Sequence, residues 1–291
     1  MTNQDLGEIG IVGAGQVGTM LGWALRSAGA SVTVFDARRE VAQRSLARGA
    51  ANAVASSLEA VLGADSVILA VPVPQIVSLL RSHADRLRAG GFLIDTGSVK
   101  LPVVEAMAAC VRTRVHAIGG HPLAGTERPG PEGADPERLR GAAFALAPVR
   151  DDKEAERRGR LLAEAVGAIP VLVDAATHDR TLAVTSHLAH LAAFAAAAAA
   201  TSQAASGAFE PALVSTGFRG LTRLAASDPA MVAGFLSANA EQIAAASSAF
   251  ERELSELVAA SRGAVAALAT RLSEASAGLA RLFPAPGTER A

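Results

Sequence analysis

A glycine-rich turn between a short apolar strand and a helix restricts the fold of this chain more than any other feature. The strand pattern covers Ile9–Val12, and Gly13, Gly15 and Gly18 follow it with GxGxxG spacing and open a helical pattern over 16–27. This arrangement is typical of a Rossmann-type sheet. Further strand patterns alternate with helical ones and cover residues 31–35, 66–71, 92–95, 115–118, 143–147 and 170–173. The sequence therefore predicts an α/β fold with a doubly wound parallel sheet.

The second half of the chain has helical patterns only. Residues 181–205 are apolar and rich in alanine, which predicts a long helix buried on most faces. From Leu254 to Leu282, apolar residues recur in steps of four and three, which predicts one long helix with a narrow apolar seam. Such a seam needs a partner helix, in the same chain or across a dimer. We expect a nucleotide-binding domain over 1–174 and an all-α domain over 175–291.

The composition excludes several classes of function. The 27 Lys and Arg against 28 Asp and Glu leave no basic excess for binding nucleic acid. A single cysteine, Cys110, excludes an internal disulfide and a multi-cysteine metal site. The sequence has no tyrosine, so a tyrosine general acid is excluded. Its two lysines, Lys100 and Lys153, exclude a catalytic lysine in the second half.

We expect a cytoplasmic protein without a membrane partner. The first eight residues are polar and are followed by a short apolar stretch that glycines interrupt, which does not match a secretory signal. The most apolar segment, 188–200, is too short and too rich in alanine to span a bilayer.

The glycine turn also predicts a bound dinucleotide. The first glycine permits the turn, the second lets the backbone approach a pyrophosphate, and the third lets the helix pack on the strand. Asp36 ends the next strand, where a carboxylate would bind the ribose hydroxyls and favour NAD. Arg38 and Arg39 follow it and keep NADP possible. The predicted cofactor-binding residues are Gly13, Gly15, Gln16, Val17, Gly18, Asp36, Val71, Pro72 and Thr96.

Polar clusters follow two further strands of the predicted sheet. Residues 95–100 (DTGSVK) close one strand and residues 119–127 (GGHPLAGTE) close the next. In a doubly wound sheet these strand ends converge on the cofactor. His121 could there take a proton from a hydroxyl while hydride leaves the same carbon, and Ser98 could fix its orientation.

These clusters resemble the prephenate and arogenate dehydrogenase family. The matching stretches are DTGSVK (95–100), GGHPLAGTE (119–127), THD (177–179), SHLAH (186–190) and FRGLTRLAASDP (218–229). The resemblance implies a homodimer with an N-terminal NAD(P)-binding domain and an interlocking helical C-terminal domain. It also implies oxidative decarboxylation of a cyclohexadienol dicarboxylate to an aromatic product, in the biosynthesis of tyrosine and other aromatic amino acids.

The resemblance assigns roles to individual residues. His121 would polarise or deprotonate the ring hydroxyl, with Ser98 hydrogen-bonded beside it. Arg223 would anchor a substrate carboxylate, because a planar guanidinium can bind a carboxylate through two hydrogen bonds. The alternative is a structural role, in which Arg223 pairs with Asp228 or Glu127 and stabilises the helical domain. The remaining predicted substrate-site residues are His178, Ser186, His190 and Glu127, the last as a gate or dimer contact.

The histidines on the apolar helix have a second interpretation. His187 and His190 could be packed, hydrogen-bonded core groups. We expect no metal there, because no third ligand is near in the sequence.

The sequence departs from the family pattern at two positions. Ala189 replaces a proline that is usual in the Ser-His-x-x-His element, and Val232 replaces a frequent tryptophan. The given sequence also ends after its last predicted helix, so we expect no C-terminal ACT regulatory domain.

The substrate therefore stays open between prephenate, arogenate and 4-amino-4-deoxyprephenate, the last an antibiotic-precursor substrate. Remote alternatives are another two-domain NAD(P)-dependent reductase and a nucleotide-sensing dimer.

Overall fold

The computed structural model describes residues 6–207 and 209–282 and divides into two compact units. The first unit extends to Ile243 and the second begins at Ala244. The strands are β1 (Ile9–Val12), β2 (Val32–Phe35), β3 (Ala53–Val54), β4 (Ser66–Leu69), β5 (Phe92–Asp95), β6 (His116–Pro122), β7 (Ala143–Pro148) and β8 (Ile169–Leu172).

Twelve α-helices stand in the described residues. They are α1 (Gln16–Ser27), α2 (Arg39–Ala47), α3 (Leu58–Leu62), α4 (Val73–His83), α5 (Leu101–Cys110), α6 (Lys153–Ala165), α7 (Ala175–Leu182), α8 (Leu188–Ala205), α9 (Thr216–Thr222), α10 (Pro229–Ala238), α11 (Ala240–Ala260) and α12 (Val265–Leu282). Short 3₁₀ turns lie at Ala84–Arg86, Pro131–Gly133, Pro136–Leu139, Pro211–Leu213 and Arg223–Ala226.

The predicted doubly wound sheet is confirmed. The strand order is β3-β2-β1-β4-β5-β6-β7-β8, which reverses direction at β1 and β4. Val12 of β1 is paired with Leu69 of β4, and Leu69 with Asp95 of β5. The residues that follow these three strands therefore start from the same edge of the sheet.

One strand pair departs from the predicted parallel sheet. Strands β6 and β7 are antiparallel, with Gly120 opposite Leu146. Parallel neighbours need a crossover, usually a helix, whereas residues 123–142 contain only two 3₁₀ turns. The chain therefore returns beside β6 in the opposite direction, and α6 then carries it to the parallel edge strand β8.

Two apolar clusters pack against the sheet. Every residue of β1, β4 and β5 is buried, as continuous apolar strands in the middle of a sheet require. Side chains alternate along each strand, so Ile9 and Ile11 join one cluster and Val12 joins the other. This core holds the strand ends rigidly below the loops that follow them.

The helix predicted over 181–205 is longer and less buried than expected. It runs continuously from Ala175 to Ala205 as α7, a π-helical turn over Ala183–His187, and α8. In α8 only Ala193 is buried. By length and composition alone, this helix could cross a membrane, and 17% of its most apolar window is buried in the chain. Within the single chain α8 is therefore mostly uncovered, so the expected burial on most faces is not provided by this chain alone.

The seam predicted from Leu254 to Leu282 lies on two helices, not one. Helix α11 ends at Ala260 and α12 begins at Val265, after a turn that contains Gly263. Glycine disfavours the helix interior by about 1 kcal/mol relative to alanine. Within the second unit, Arg271 forms ion pairs with Glu253 at 3.2 Å and with Glu256 at 2.5 Å, which join the two helices.

Candidate active site

A cleft of about 320 Å³ lies above the carboxyl ends of β1, β4 and β5. Its walls come from the glycine turn, the segment after β4, the segment after β5, the loop after β6, and α10. The lining residues include Gly15, Gln16, Val17, Val71, Pro72, Thr96, Ser98, His121, Glu127, Arg128, Asp228, Met231 and Phe235. In an open α/β sheet, ligands bind at such a point, where the strand order reverses.

The three glycines of the turn occupy three different environments. Gly13 has φ +101°, and a Cβ there would stand 2.4 Å from the carbonyl oxygen of Ala70. A Cβ on Gly18 would stand 1.9 Å from the carbonyl oxygen of Gly13. A Cβ on Gly15 would meet no atom within 4 Å. Gly13 and Gly18 are therefore needed for backbone packing, whereas Gly15 opens space beside the cleft.

The amino end of α1 presents free backbone donors to this space. Gly15 is its N-cap residue and offers no side-chain hydrogen bond, and the first turn carries no acidic residue. Helix N-termini of this kind attract phosphate groups.

The side chain of Gln16 holds the loop after β6 against the glycine turn. Its Oε1 accepts from Thr126 N at 2.8 Å, and its Nε2 donates to the carbonyl oxygens of Arg128 at 2.6 Å and Gly133 at 3.2 Å. Gln16 was predicted as a cofactor contact. The structure shows in addition that its amide joins two walls of the cleft.

Asp36 lies beside the glycine turn, at the end of β2. Its carboxylate accepts from Ala14 N and Arg38 N, each at 2.9 Å. The side chain is partly exposed and does not line the cleft itself. Its position fits that of a ribose-binding carboxylate next to a dinucleotide turn.

His121 occupies the end of β6 and lines the cleft. It is partly buried, and its Nδ1 lies 2.9 Å from Nε2 of His178. Burial first, and then the neighbouring His178 and Lys100, lower the pKa of His121 well below its ordinary value. A histidine with a lowered pKa is neutral at pH 7, so it can accept a proton.

The hydrogen bond predicted between Ser98 and His121 is not formed in the structure. Ser98 lines the same cleft, but none of its atoms is bonded to His121 among the described residues. The reason is that Nδ1 of His121 is already engaged by His178. The Ser98 hydroxyl therefore faces the cleft without a protein partner in the described part of the chain.

A buried ion pair that sequence reasoning did not assign lies below His121. Lys100 Nζ donates to Asp95 Oδ2, and both side chains are completely buried. Lys100 Nζ also donates to Gly120 O at 2.6 Å, and Asp95 Oδ1 accepts from Gly120 N at 2.9 Å. The pair thus joins the end of β5 to the residue that precedes His121. Asp95 and Lys100 are the first and last residues of the motif DTGSVK (95–100). That motif was the sequence signal that could have pointed to the pair.

Asp179 is a second buried carboxylate that the sequence analysis did not assign. Its Oδ1 accepts from Lys100 N at 2.7 Å and its Oδ2 from Leu101 N at 2.8 Å, at the amino end of α5. His178 Nδ1 is also 2.7 Å from Asp179 Oδ1. Asn239 Nδ2 donates to Asp179 O at 2.9 Å. His178, predicted beside the substrate, is buried behind His121 and does not line the cleft.

The π-helical turn places Ser186 and His187 next to α8. His187 is buried, stacks on Phe235 at 4.8 Å between ring centroids, and has its Nδ1 3.1 Å from Asn239 Nδ2. His190 contacts the same Phe235 ring edge-on at 5.1 Å, and its Nδ1 is 3.0 Å from Ser186 O. Ser186 and His190 therefore do not line the cleft. His190 contacts Phe235, which does, and Ser186 contacts His190. The core interpretation of His187 fits these contacts.

Arg223 forms an ion pair with Glu127. The distance from its Nη1 to Glu127 Oε2 is 2.9 Å, and the Arg223 side chain is 59% exposed. Backbone hydrogen bonding first, and then Arg223, lower the pKa of the Glu127 carboxyl. Glu127 lines the cleft and Arg223 stands behind it. The pairing that the sequence analysis named as a structural alternative is thus present.

No group of three or more His, Cys, Asp or Glu side chains that could hold a metal ion occurs in residues 6–207 and 209–282.

Two family models match the chain. Residues 21–169 match "Prephenate dehydrogenase, nucleotide-binding domain" and residues 174–273 match "Prephenate dehydrogenase, dimerization domain". Each match lies almost entirely within one of the two predicted domains. The first begins after the glycine turn, so the geometry of that turn is an independent observation.

Individual relatives agree with the family models. The prephenate dehydrogenase of Lactococcus lactis is 29% identical over 77% of this chain and 62% of its own length. The cyclohexadienyl dehydrogenase of Zymomonas mobilis is 30% identical over 77% of this chain and 78% of its own. The chain thus spans about three fifths of the Lactococcus protein.

A solved structure also resembles the fold. The crystal structure of Aquifex aeolicus prephenate dehydrogenase, in complex with hydroxyphenyl propionate and NAD+, is 26% identical. It has a TM-score of 0.84, and the match covers 94% of this chain and 98% of the other.

We predict that buried His187 makes folding stability depend on pH. Burial lowers its pKa to about 4, against about 6.5 in an unfolded chain. The folded state therefore keeps His187 neutral while the unfolded state takes up a proton, so its stabilisation is complete above pH 6.5 and is lost as the pH falls towards 4. The loss should be on the order of 2 kcal/mol, measured by urea unfolding at pH 7.5 and 4.5.

The variant His187→Asn keeps an acceptor for Asn239 and should reduce this pH dependence. The matched control is His83→Gln, at a partly exposed histidine at the end of α4. Equal pH dependence in His187→Asn and the unmodified protein would contradict the assignment.

Proposed function

Because the chain belongs to the prephenate dehydrogenase family, we propose that it is an NAD-dependent enzyme that oxidatively decarboxylates a prephenate-type cyclohexadienol. One observation carries this proposal: His121 stands in the same cleft as the open glycine turn and is held neutral by its surroundings. A base and a dinucleotide site in one cleft are the two requirements for removing a proton from an alcohol oxygen and a hydride from the carbon that bears it.

The cleft fits a dinucleotide. The open space at Gly15 would take the pyrophosphate, the amino end of α1 would supply its donors, and Asp36 would bind the adenosine ribose. Val71, Pro72 and Thr96 line the cleft beyond the turn, on the side of His121. NAD supplies the hydride acceptor when bound. The carboxylate of Asp36 would repel a 2′-phosphate, so we propose NAD over NADP. The NAD+ bound to the Aquifex aeolicus relative supports this choice.

His121 is the proposed general base. The proton of the ring hydroxyl would pass to its free Nε2 while the hydrogen on the same ring carbon leaves as hydride to the nicotinamide acceptor, so that the C–O bond becomes a carbonyl. Loss of the ring carboxylate as carbon dioxide would then send its bonding electrons through the ring to the carbonyl oxygen, which takes the proton back from His121 as the ring becomes aromatic. Ser98, which has no protein partner among residues 6–207 and 209–282, would donate to or accept from the same substrate oxygen.

Arg223 is the proposed anchor for a substrate carboxylate. In the structure its guanidinium is paired with Glu127, so a substrate carboxylate would have to replace that partner. An exposed ion pair contributes little to stability, so little would be lost when a substrate carboxylate replaces Glu127. Glu127 would then act as a gate, and Ser186, His190 and His178 would support the substrate side of the cleft.

The candidate substrates are prephenate, arogenate and 4-amino-4-deoxyprephenate. We propose prephenate first, because both matching family models and the Aquifex aeolicus relative carry that name. The proposed place in metabolism is the biosynthesis of tyrosine and other aromatic amino acids. The arogenate and antibiotic-precursor alternatives rest on the departures from the family pattern, among them Val232 in place of a frequent tryptophan. Val232 is buried and does not itself line the cleft.

We also propose that two chains form a dimer through the helical region from 175 onward, with a functional boundary at 174. The dimerization-domain match supports this assembly. Apolar side chains that are about half exposed or more support it in each unit separately: Val184 and Leu221 in the first unit, and Leu254, Val258, Val265, Leu272, Leu279 and Leu282 in the second.

A cytoplasmic location accompanies this proposal. The long apolar helix carries His178 and Asp179 in a buried polar network behind the cleft. Such groups are costly in a bilayer, which favours a soluble enzyme over a membrane span.

We predict that the protein reduces NAD with prephenate and that His121→Asn lowers kcat by about 10²- to 10⁴-fold with little change in KM. The asparagine keeps a polar side chain but cannot act as the base. The measurement is steady-state absorbance of NADH with each of the three substrates. Near-normal turnover of the variant would show that another group is the base, and inactivity with all three substrates would reject the proposed reaction.

We predict a preference for NAD that depends on Asp36. Asp36→Ala should lower kcat/KM with NAD and reduce the ratio of kcat/KM with NAD to kcat/KM with NADP. The reason is that the contact with the ribose hydroxyls and the repulsion of a 2′-phosphate are lost together. Asp85→Ala is the control, since it makes the same change at an exposed aspartate that does not line the cleft. Equal or higher kcat/KM with NADP in the unmodified protein would overturn the preference.

We predict a mass of two chains by light scattering at micromolar concentration. Leu272→Glu should lower this mass towards one chain, because it places a charge in the exposed seam of α12. Arg281→Glu, at the end of the same helix, is the control for the change of charge. A one-chain mass for the unmodified protein would exclude the dimer.

A further inference from the structure

A line of three side chains leads from the cleft into the buried core. His121 Nδ1 lies 2.9 Å from His178 Nε2, and His178 Nδ1 lies 2.7 Å from Asp179 Oδ1. The three residues lie on two elements, since His121 is the penultimate residue of β6 and the other two lie in α7. Neither His178 nor Asp179 reaches the cleft, so both can act on a substrate only through His121.

The carboxylate of Asp179 lies among groups that complement a negative charge. It accepts from Lys100 N and Leu101 N at the amino end of α5, where the helix dipole favours a negative charge. Lys100 adds a positive charge nearby. An ionised carboxylate only accepts hydrogen bonds. The nitrogen that faces it, Nδ1 of His178, must therefore carry a proton.

This proton determines the direction of the next hydrogen bond. With Nδ1 protonated, a neutral His178 has a free electron pair on Nε2. That nitrogen then accepts a hydrogen bond from Nδ1 of His121, so the proton of a neutral His121 is on Nδ1. Its Nε2 is left with a free electron pair and has no partner among residues 6–207 and 209–282.

We propose that His178 and Asp179 are positioning residues that hold His121 in the tautomer protonated at Nδ1, with Nε2 as the base towards the cleft. The inference rests on the proposed function, because it explains how the proposed base is prepared. It also predicts a state of the resting protein that can be observed without substrate.

The same line stabilises the product of the proton transfer. When the substrate O–H bond breaks, its proton binds to Nε2 of His121, and the ring becomes an imidazolium with protons on both nitrogens. The Nδ1–H then points at the electron pair of His178 Nε2, and Asp179 lies behind it. The oxygen keeps the bonding electrons, which would form the carbonyl as hydride leaves the carbon to the nicotinamide acceptor of the proposed reaction.

The opposite direction of the hydrogen bond would require a cationic His178. The groups that face the two histidines are Lys100, His187 and Asp179. His178 is 2% exposed, and Lys100 and Asp95 are already paired. A second buried cation beside Lys100 would have Asp179 as its only anionic partner among residues 6–207 and 209–282, and that carboxylate already accepts two backbone hydrogen bonds. These contacts favour the direction in which Nδ1 of His121 donates to Nε2 of His178.

The first test is the tautomer of His121 in the unmodified protein without substrate. Long-range ¹H–¹⁵N correlation spectra of the ¹⁵N-histidine-labelled protein separate protonated from unprotonated ring nitrogens, and His121→Asn assigns the signals. We expect at pH 7.5 a protonated Nδ1 and an unprotonated Nε2 on His121. A protonated Nε2 with an unprotonated Nδ1 would overturn the proposal, whether or not the protein has activity.

The second test compares two carboxylates that have the same local arrangement. Asp152 accepts from Glu154 N and Ala155 N at the start of α6, and its Oδ2 lies 2.9 Å from Nδ1 of His116. Like Asp179, it caps a helix and holds a histidine, but neither it nor His116 lines the cleft. Asp152→Asn is therefore the matched control for Asp179→Asn.

Asp179→Asn should lower kcat about 10- to 100-fold with less than about a threefold change in the KM for substrate and in the affinity for NAD. The acid limb of its kcat/KM profile should move to lower pH, since the imidazolium of His121 loses its anion. Asp152→Asn should leave kcat and the profile unchanged. His178→Gln, whose amide oxygen can still accept from Nδ1, should be less impaired than His178→Phe.

Kinetics and thermal melts together separate positioning from stability. A purely structural role would lower Tm in Asp179→Asn while the folded fraction kept its kcat and pH profile, and that result would reject the proposal. If Asp179→Asn does not fold, the spectrum of the unmodified protein still decides the tautomer. If prephenate, arogenate and 4-amino-4-deoxyprephenate are all inactive while the predicted tautomer is observed, the proposed function fails and the hydrogen-bond line stands.

Discussion

The buried pair of Lys100 and Asp95 is the interaction on which the geometry of the cleft depends. Two charges with no exposed surface are costly to remove from water, and the cost is offset only when every donor and acceptor is satisfied. Here Asp95 accepts from Lys100, Gly97 N and Gly120 N, and Lys100 donates in turn to Gly120 O. Loss of either partner would leave an unpaired charge under His121. The strand end that carries this histidine is thus fixed by electrostatics as well as by sheet hydrogen bonds.

A second requirement of the site is a close approach between strands. A Cβ on Gly120 would stand 2.4 Å from Asp95 O, so only glycine lets β6 come near enough to share the carboxylate of Asp95. Asp179 continues the arrangement, since its one carboxylate reaches both the start of α5 and His178. The carboxyl end of the sheet, the start of α5 and the interior of α7 therefore meet at the base of the cleft.

The sequence predicted the fold because periodic patterns report burial. The strands β1 and β5 and the helix α1 were predicted with their observed ends, since glycine, aspartate and serine mark those ends. The two-residue strand β3 is too short for a pattern, and the antiparallel direction of β7 depends on a connection without a helix. The break at Gly263 was missed because the apolar spacing continues across it.

The site was predicted in part for a related reason. His121, Ser98 and the glycine turn follow strands, and strand ends of one sheet meet in space. Asp95, Lys100, Asp179 and Asn239 act through buried hydrogen bonds between segments up to 79 residues apart, and no local pattern encodes such partners. The partner of His121 was misassigned to Ser98 because two histidines 57 residues apart gave no sign of contact.

The π-helical turn over Ala183–His187 has a consequence for the evolution of this helix. A π turn holds one residue more than an α turn, so it is equivalent to a single inserted residue whose extra length stays within five positions. Each residue of an α-helix turns the chain by about 100°. Removing one residue here would rotate everything after the turn by that angle relative to α7 and carry His190 off the ring of Phe235. The π turn thus sets the rotation of α8 relative to α7. Because of it, the face of α7 that carries Asp179 and the face of α8 that contacts Phe235 are both placed correctly, and a one-residue deletion would misplace one of them.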